Sequence, residues 1–197
     1  KQIINISVIG AGQIGSRHVQ SILKLKFQVN IYIVDPSEKS LKAVKQLVSE
    51  EKHTNSALFF SKSIKALPEF LDLVIIATTA DIRAEVTENL LINKKVKNLI
   101  LEKFLFQKQE DYNKIEKLIK NKKTNTWVNC PRREWEVYKD LNKILQNETI
   151  QSISVSGKNL GLCTNAIHFI DLVSFLTKQQ GYELDMAMIQ NRILQSK

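Results

Sequence analysis

Short, unbroken apolar runs alternate along the first two thirds of the chain with longer stretches in which apolar residues return every three or four positions. The runs are Ile3, Ile4, Ile6, Val8 and Ile9, then Val29 to Val34, Ala57 to Phe60, Leu73 to Thr79 and Val96 to Leu101. Runs without a polar alternate suit strands covered on both faces, as in a parallel sheet. Between them, Gln13–Leu25 carries Ile14, Val19, Ile22 and Leu23, and Glu38–Glu51 carries Leu41, Val44, Leu47 and Val48. Asp81–Leu91 and Gln109–Lys123 show the same helical spacing, and Thr126 to Cys130 reads as a closing strand. Strands alternating with helices of this length require right-handed crossovers, so the pattern predicts an α/β, doubly wound parallel sheet with helices on both faces.

The pattern changes at Pro131. Glu134–Gln146 predicts a helix with Trp135, Tyr138, Leu141 and Leu145 turned inward, and Ala166–Thr177 a second with Ile167, Ile170, Leu172, Val173, Phe175 and Leu176 largely buried. Ile150 to Ser156 alternates apolar and polar residues, as a strand with one solvated face does. Residues 1–130 therefore form one domain, and 131–197 the start of a second, whose strand belongs to a sheet with one solvated or partner-covered face. Such a sheet needs more strands than remain before Gln195-Ser196-Lys197, and the chain opens on Lys1. Both ends are those expected of a shortened chain.

The first run feeds a turn in which Gly10, Gly12 and Gly15 fit G-x-G-x-x-G. Each glycine meets a separate demand: a tight turn, approach of the backbone to a pyrophosphate, and close packing of helix on strand. Gln13 and Ile14 open the following helix, whose free N–H groups would face the phosphates. The second run ends at Asp35, twenty residues after Gly15, where an acid accepts hydrogen bonds from the ribose hydroxyls. Strand, turn, helix, strand and acid in this order imply a dinucleotide site. A carboxylate at Asp35 repels a 2′-phosphate, so NAD is expected in preference to NADP. The other strand ends place Thr78 and Glu102 beside the same crevice.

Composition adds little to this picture. The net charge of +9 rests on 24 lysines against 5 arginines spread over helix faces, a solvated surface rather than a nucleic-acid footprint. The basic field suits an anionic small molecule such as a sugar nucleotide. No apolar run reaches the roughly 18 residues of a membrane span, and no signal-peptide pattern opens the chain, so a cytoplasmic protein is expected. Cys130 and Cys163 lack metal-ligand spacing and read as reduced structural thiols, and no metal is expected.

Three separated stretches, GAGQIGSRH from Gly10, LEKF at Leu101 to Phe104, and CTNAIHFIDLVSFLT at Cys163 to Thr177, together resemble the glucose–fructose oxidoreductase and inositol dehydrogenase family (Gfo/Idh/MocA). The resemblance implies a two-domain NAD(P)-dependent oxidoreductase acting on sugars or polyols, with a Rossmann domain followed by an α/β substrate and oligomerisation domain built on an open, mainly antiparallel sheet. It implies that Glu102-Lys103 matches a Glu-Lys-Pro signature and that His168 opens a His-x-x-Asp stretch ending at Asp171. Lys103, at the end of a buried strand beside the expected nicotinamide, is a usable acid–base or hydroxyl-orienting group. Asp171 lies one turn beyond His168 on the same face, an orienting or structural partner on the substrate side.

The chain also departs from the family. Thr164 stands four residues before His168, where an Asp is common, and Asn165 follows; either can bond a substrate hydroxyl, but neither can take its proton. The proton then falls to Lys103 or His168. Phe104 replaces the signature proline, and Arg83 stands where a His is common. Asn129, with Arg132 or Arg133, lies where a strand end often borders substrate. The first reading is an NAD-dependent oxidoreductase moving a hydride to or from a carbinol or keto carbon of a sugar, polyol or nucleotide sugar, in a homo-oligomer formed through the second sheet if that sheet is complete. The alternatives are a dinucleotide-binding regulatory or scaffold protein without turnover, and a reductase of a non-sugar substrate such as an imine or linear tetrapyrrole.

Overall fold

The computed structural model describes residues 3–49, 56–158, 160–179, 181–183 and 185. It divides into two compact units, Lys1–Cys130 and Pro131–Lys197. In the first, strands β1 (Ile4–Ile9), β2 (Val29–Val34), β3 (Ala57–Ser61), β4 (Phe70–Ile76), β5 (Lys95–Leu101) and β6 (Asn125–Val128) form one sheet in the order β3-β2-β1-β4-β5-β6. Every pairing is parallel. Helices α1 (Gln13–Leu23), α2 (Glu38–Ser49), α3 (Ala80–Asn93) and α4 (Gln109–Lys122) make the crossovers.

Two apolar cores hold this arrangement. One joins Val8, Val19, Ile31, Ile33 and Val44, and the other Val74, Ile76, Leu90, Leu99, Leu101 and Ile115. Order reverses between β1 and β4, and that reversal opens a crevice at the carboxyl ends of the strands. At the opposite ends a row of amides crosses the sheet. Asn30 donates to Asn5 at 3.0 Å, the Asn5 N–H to Asp72 at 2.9 Å, Asn98 to the Asp72 carbonyl at 2.8 Å, and Asn125 to Asn98 at 3.2 Å.

Several boundaries differ from the sequence pattern. β4 begins at Phe70 and stops at Ile76, because Thr79 takes an extended conformation as the N-cap of α3 and Ala77 and Thr78 must lead into it. Ile3 and Ile4, read as buried, are 41% and 37% exposed at the uncovered start of β1. Glu50 and Glu51, the expected end of α2, and residues 195–197 lie outside the described residues, as does the side chain of Cys163. Cys130 is buried.

The second unit holds a 3-10 turn at Pro131–Glu134, α5 (Glu136–Ile144) and α6 (Leu162–Thr177). The helix expected from Glu134 breaks at Trp135, whose extended backbone caps α5. Trp135 is not inward but 50% exposed, stacked on Tyr138 with ring centroids 5.9 Å apart. α6 starts four residues earlier than the apolar pattern suggests, from Gly161 in the left-handed region at φ 60°. Among its described side chains Leu172 and Leu176 are buried, whereas Ile167, Ile170, Val173 and Phe175, expected to be largely buried, are partly exposed. Residues 150–156 form no ladder among the described residues; an extended segment has no partner for its N–H and C=O groups until another strand lies beside it.

Candidate cofactor and catalytic site

The glycine turn has the shape its sequence implies. Gly10 sits at φ +96°, its N–H bonded to the Val34 carbonyl at 2.8 Å, and a Cβ there would stand 2.8 Å from the Ala77 carbonyl carbon. A Cβ on Gly15 would stand 1.7 Å from the Gly10 oxygen, so α1 approaches the turn as closely as backbone permits. Around Gly12 there is nothing within 4 Å. No side chain caps α1, which leaves its first N–H groups to an incoming anion. Ile14, placed on the buried face by its spacing, is 45% exposed at this end of the helix.

Asp35 closes the turn from β2. Its Oδ2 accepts the Ala11 N–H at 2.7 Å, and its Oδ1 the Ser37 N–H at 2.8 Å. Asp35, Gly10 and Gly12 face Thr78 across a cavity of about 440 Å³ with apolar walls that include Ile64, Ile82 and Val86. Gln13 lies beside a separate small recess with Lys39 and Ser40. Thr78 Oγ1 is buried and has no hydrogen-bond partner among the described residues. An orphaned hydroxyl, an open cradle at Gly12 and a carboxylate at the far end fit a dinucleotide: phosphates at α1, ribose at Asp35, adenine between the apolar walls. Lys62 also lines the cavity, but its ammonium is held by Glu38 at 2.8 Å. Fluorescence titration is expected to show NADH bound at least about tenfold more tightly than NADPH, and Asp35→Ala to narrow that gap, as loss of one charge-assisted contact does. Equal affinities in the unaltered protein would remove Asp35 from the ribose.

Past the cavity, the loop after β5 carries Lys103, half-buried. Arg83 of α3, only 3% exposed, holds this loop. Its Nη1 donates to the carbonyls of Glu102 at 2.7 Å, Leu105 at 3.0 Å and Phe104, and its Nη2 to Thr78. Arg83, which stands where the family commonly has a His, is thus the clasp between the loops that follow β4 and β5. The Glu102 side chain is 7% exposed. It accepts from His18 Nε2 at 2.7 Å and Asn129 Nδ2 at 2.6 Å, both on Oε1. Burial alone would raise its pKa, but the hydrogen bonds from His18 and Asn129 outweigh it and hold the carboxyl below its ordinary range.

His18 is the residue of this cluster that sequence reasoning passed over. A signal was present: His18 falls three residues after Gly15 and one before Val19, both buried in α1, and a polar residue on a packed face requires a partner. Arg83 carried the same signal, one residue before Ala84 and four before Thr87, both buried in α3.

In the second unit, Arg133 and Asp171, both expected at substrate, meet each other. Arg133 Nε donates to Asp171 Oδ2 at 2.9 Å and Nη2 to Oδ1, a bidentate pair that docks the 3-10 turn on α6. Arg132 lies 4.0 Å from the Phe169 ring beside it. Thr164 Oγ1 donates to the Gly161 carbonyl at 3.0 Å, and Asn165 Nδ2 to the Leu160 carbonyl at 2.6 Å, so both side chains shape the entry to α6. His168 lies well inside α6 rather than at its start, half-buried with Nδ1 enclosed. Among the described residues no group of His, Cys, Asp and Glu could hold a metal ion, and no helix is long and apolar enough to cross a membrane.

Strand order, glycine turn and acid together define a dinucleotide-binding Rossmann domain. Residues 4–130 match the model of the Gfo/Idh/MocA oxidoreductase family, described by its NAD-binding Rossmann fold, and the chain belongs to that family. No curated protein sequence matches. Similar solved structures include scyllo-inositol dehydrogenase from Lactobacillus casei with bound NAD(H) and scyllo-inositol, at 17% identity and TM-score 0.67 over 90% of this chain and 57% of that one. The WlbA dehydrogenase from Chromobacterium violaceum, in complex with NADH and UDP-GlcNAcA, is similar at 16% identity and TM-score 0.69, covering 89% and 56%. A super-repressor mutant of Gal80p from Saccharomyces cerevisiae is similar at 19% and 0.70, covering 91% and 54%. The chain thus spans little more than half the length of these proteins.

Proposed function

We propose that the protein is an NAD-dependent oxidoreductase whose substrate is a sugar, polyol or nucleotide sugar carrying a secondary hydroxyl or the corresponding ketone. The observation that supports this reading is the cavity at the glycine turn together with the loop after β5, clasped by Arg83, that carries Lys103. When bound, the nicotinamide accepts or supplies the hydride. Lys103 is the group in the first unit able to hold or move the hydroxyl proton, and His168 is its counterpart in the second; Thr164, in place of an acid, cannot serve. Asn129 and Asn165 are the amides proposed to border the substrate. The inositol and UDP-sugar bound to the two dehydrogenases above support this substrate class.

The test follows absorbance at 340 nm with scyllo-inositol, myo-inositol and UDP-linked sugars. Turnover is expected with one of these classes, and Lys103→Ala is expected to reduce kcat by roughly 10²-fold or more with NADH affinity near that of the unaltered protein. An unchanged kcat in that variant would remove Lys103 from the chemistry. A second reading, a non-catalytic binding protein, is favoured by Thr164 and by the fold shared with the Gal80p super-repressor. Tight NADH binding without turnover on the whole panel supports it.

A further inference from the structure

α1 does two things at once. Its first turn meets the glycine cradle, and its second carries His18 to the end of β5, where Nε2 donates to Glu102 Oε1 at 2.7 Å. Because an ionised carboxylate only accepts, Nε2 bears the proton whatever the charge on the ring. Asn129, one residue past β6, donates to the same oxygen at 2.6 Å, and Lys103 is the next residue along the chain after Glu102. One nearly buried carboxylate therefore ties a helix and two strand ends together immediately before Lys103. A buried charge held by several donors is a stiff junction, since releasing any donor leaves the charge partly unsatisfied. Arg83 grips the same loop only through carbonyl oxygens of the main chain, so the two anchors constrain different atoms.

We propose that His18 is a positioning residue for Lys103: through Glu102 it fixes the backbone from which the lysine side chain departs, and so couples the helix of the dinucleotide turn to the proton-handling group. His18 itself touches neither substrate nor cofactor in this role. The proposal rests on the reading of Lys103 as the group beside the nicotinamide, and the experiment separates the two.

The experiment is competitive acetylation with acetic anhydride, read by peptide mass spectrometry as the rate at Lys103 relative to exposed Lys117. In the unaltered protein NADH is expected to protect Lys103; absence of protection overturns the placement of Lys103 and leaves the His18 arm to be read without NADH. In that arm His18→Ala is expected to change the relative rate at Lys103 by about fivefold, the ratio that one hydrogen bond commonly commands, with the NADH dissociation constant changed less than that. His18→Gln, which returns an N–H donor, is expected to recover most of the rate. A lowered melting temperature with an unchanged rate at Lys103 overturns the proposal, as does failure of glutamine to recover it. Should alanine prevent folding, His18→Phe fills the ring's space without a donor and is read in the same way.

Discussion

Valine at position 12 is expected to abolish detectable NAD(H) binding while the protein remains folded. Gly12 lies at φ −71°, ψ −166°, an extended conformation open to a β-branched residue, and a Cβ there meets nothing within 4 Å. Replacing glycine as the N-cap of α1 costs about 1 kcal/mol or less. What the side chain does occupy is the space in front of the uncapped N–H groups, where the pyrophosphate must lie. Gly15→Ala makes the contrast, because its Cβ would fall 1.7 Å from the Gly10 oxygen, and backbone on both sides cannot yield without separating α1 from β1. That variant is expected to lose more than about 4 kcal/mol, the range of severe steric disruption. NADH titration and urea unfolding of both variants check the pair: binding without loss in a folded Gly12→Val protein would displace the phosphates from the turn.

The second large effect is expected at Arg83. A methionine there fills much of the volume but leaves the carbonyls of Thr78, Glu102, Phe104 and Leu105 without the guanidinium. A buried acceptor deprived of its donor costs about 1–3 kcal/mol, so even with water relieving some of the four the loss is expected to be about 3–5 kcal/mol. Set against a typical total of about 5–15 kcal/mol, that threatens the domain itself. Arg83→Lys is expected to recover only part, because an ammonium on a flexible stem cannot span two loops as a planar fork does. Burial draws the guanidinium pKa down while Glu102 and Asp81 oppose the shift. Equilibrium unfolding in urea checks both variants, and a loss below about 1 kcal/mol in Arg83→Met, the size of an ordinary surface change, would show that the loops hold themselves.

The parallel sheet was legible because its signals are local. A buried strand such as Val29–Val34 must be apolar on both faces, a turn such as Gly10–Gly15 must be glycine where backbone crowds backbone, and Asp35 follows at a distance set by one helix and one strand. Glu102 and Asn129 were read separately as cofactor and substrate residues; that they share a hydrogen bond depends on the pairing of β5 with β6 and on His18 arriving from α1, which no spacing along the chain encodes. Arg133 and Asp171 show the same limit. One is a polar residue in a 3-10 turn and the other in the middle of α6, and nothing in the order of residues says that they meet each other. Residues 150–156 have a strand's alternation but no ladder, since alternation specifies which face is apolar and not whether a neighbouring strand is at hand.

The row of amides across the amino-terminal ends of the strands measures how far the chain travels to open its crevice. Asn5 meets Asn30 across 25 residues of sequence, but Asp72 across 67. Loop-closure entropy grows only as the logarithm of the span, so the longer return to β4 is disfavoured relative to the nearer pairing by roughly 0.9 kcal/mol. That is about the worth of a single net hydrogen bond. The four residue pairs that β1 makes with β4 outweigh it many times over. Reversing the strand order, the one topological step that leaves a cleft for a ligand, is therefore nearly free in chain entropy, and the connection between β2 and β4, residues 35–69, can vary in length with little penalty from chain closure.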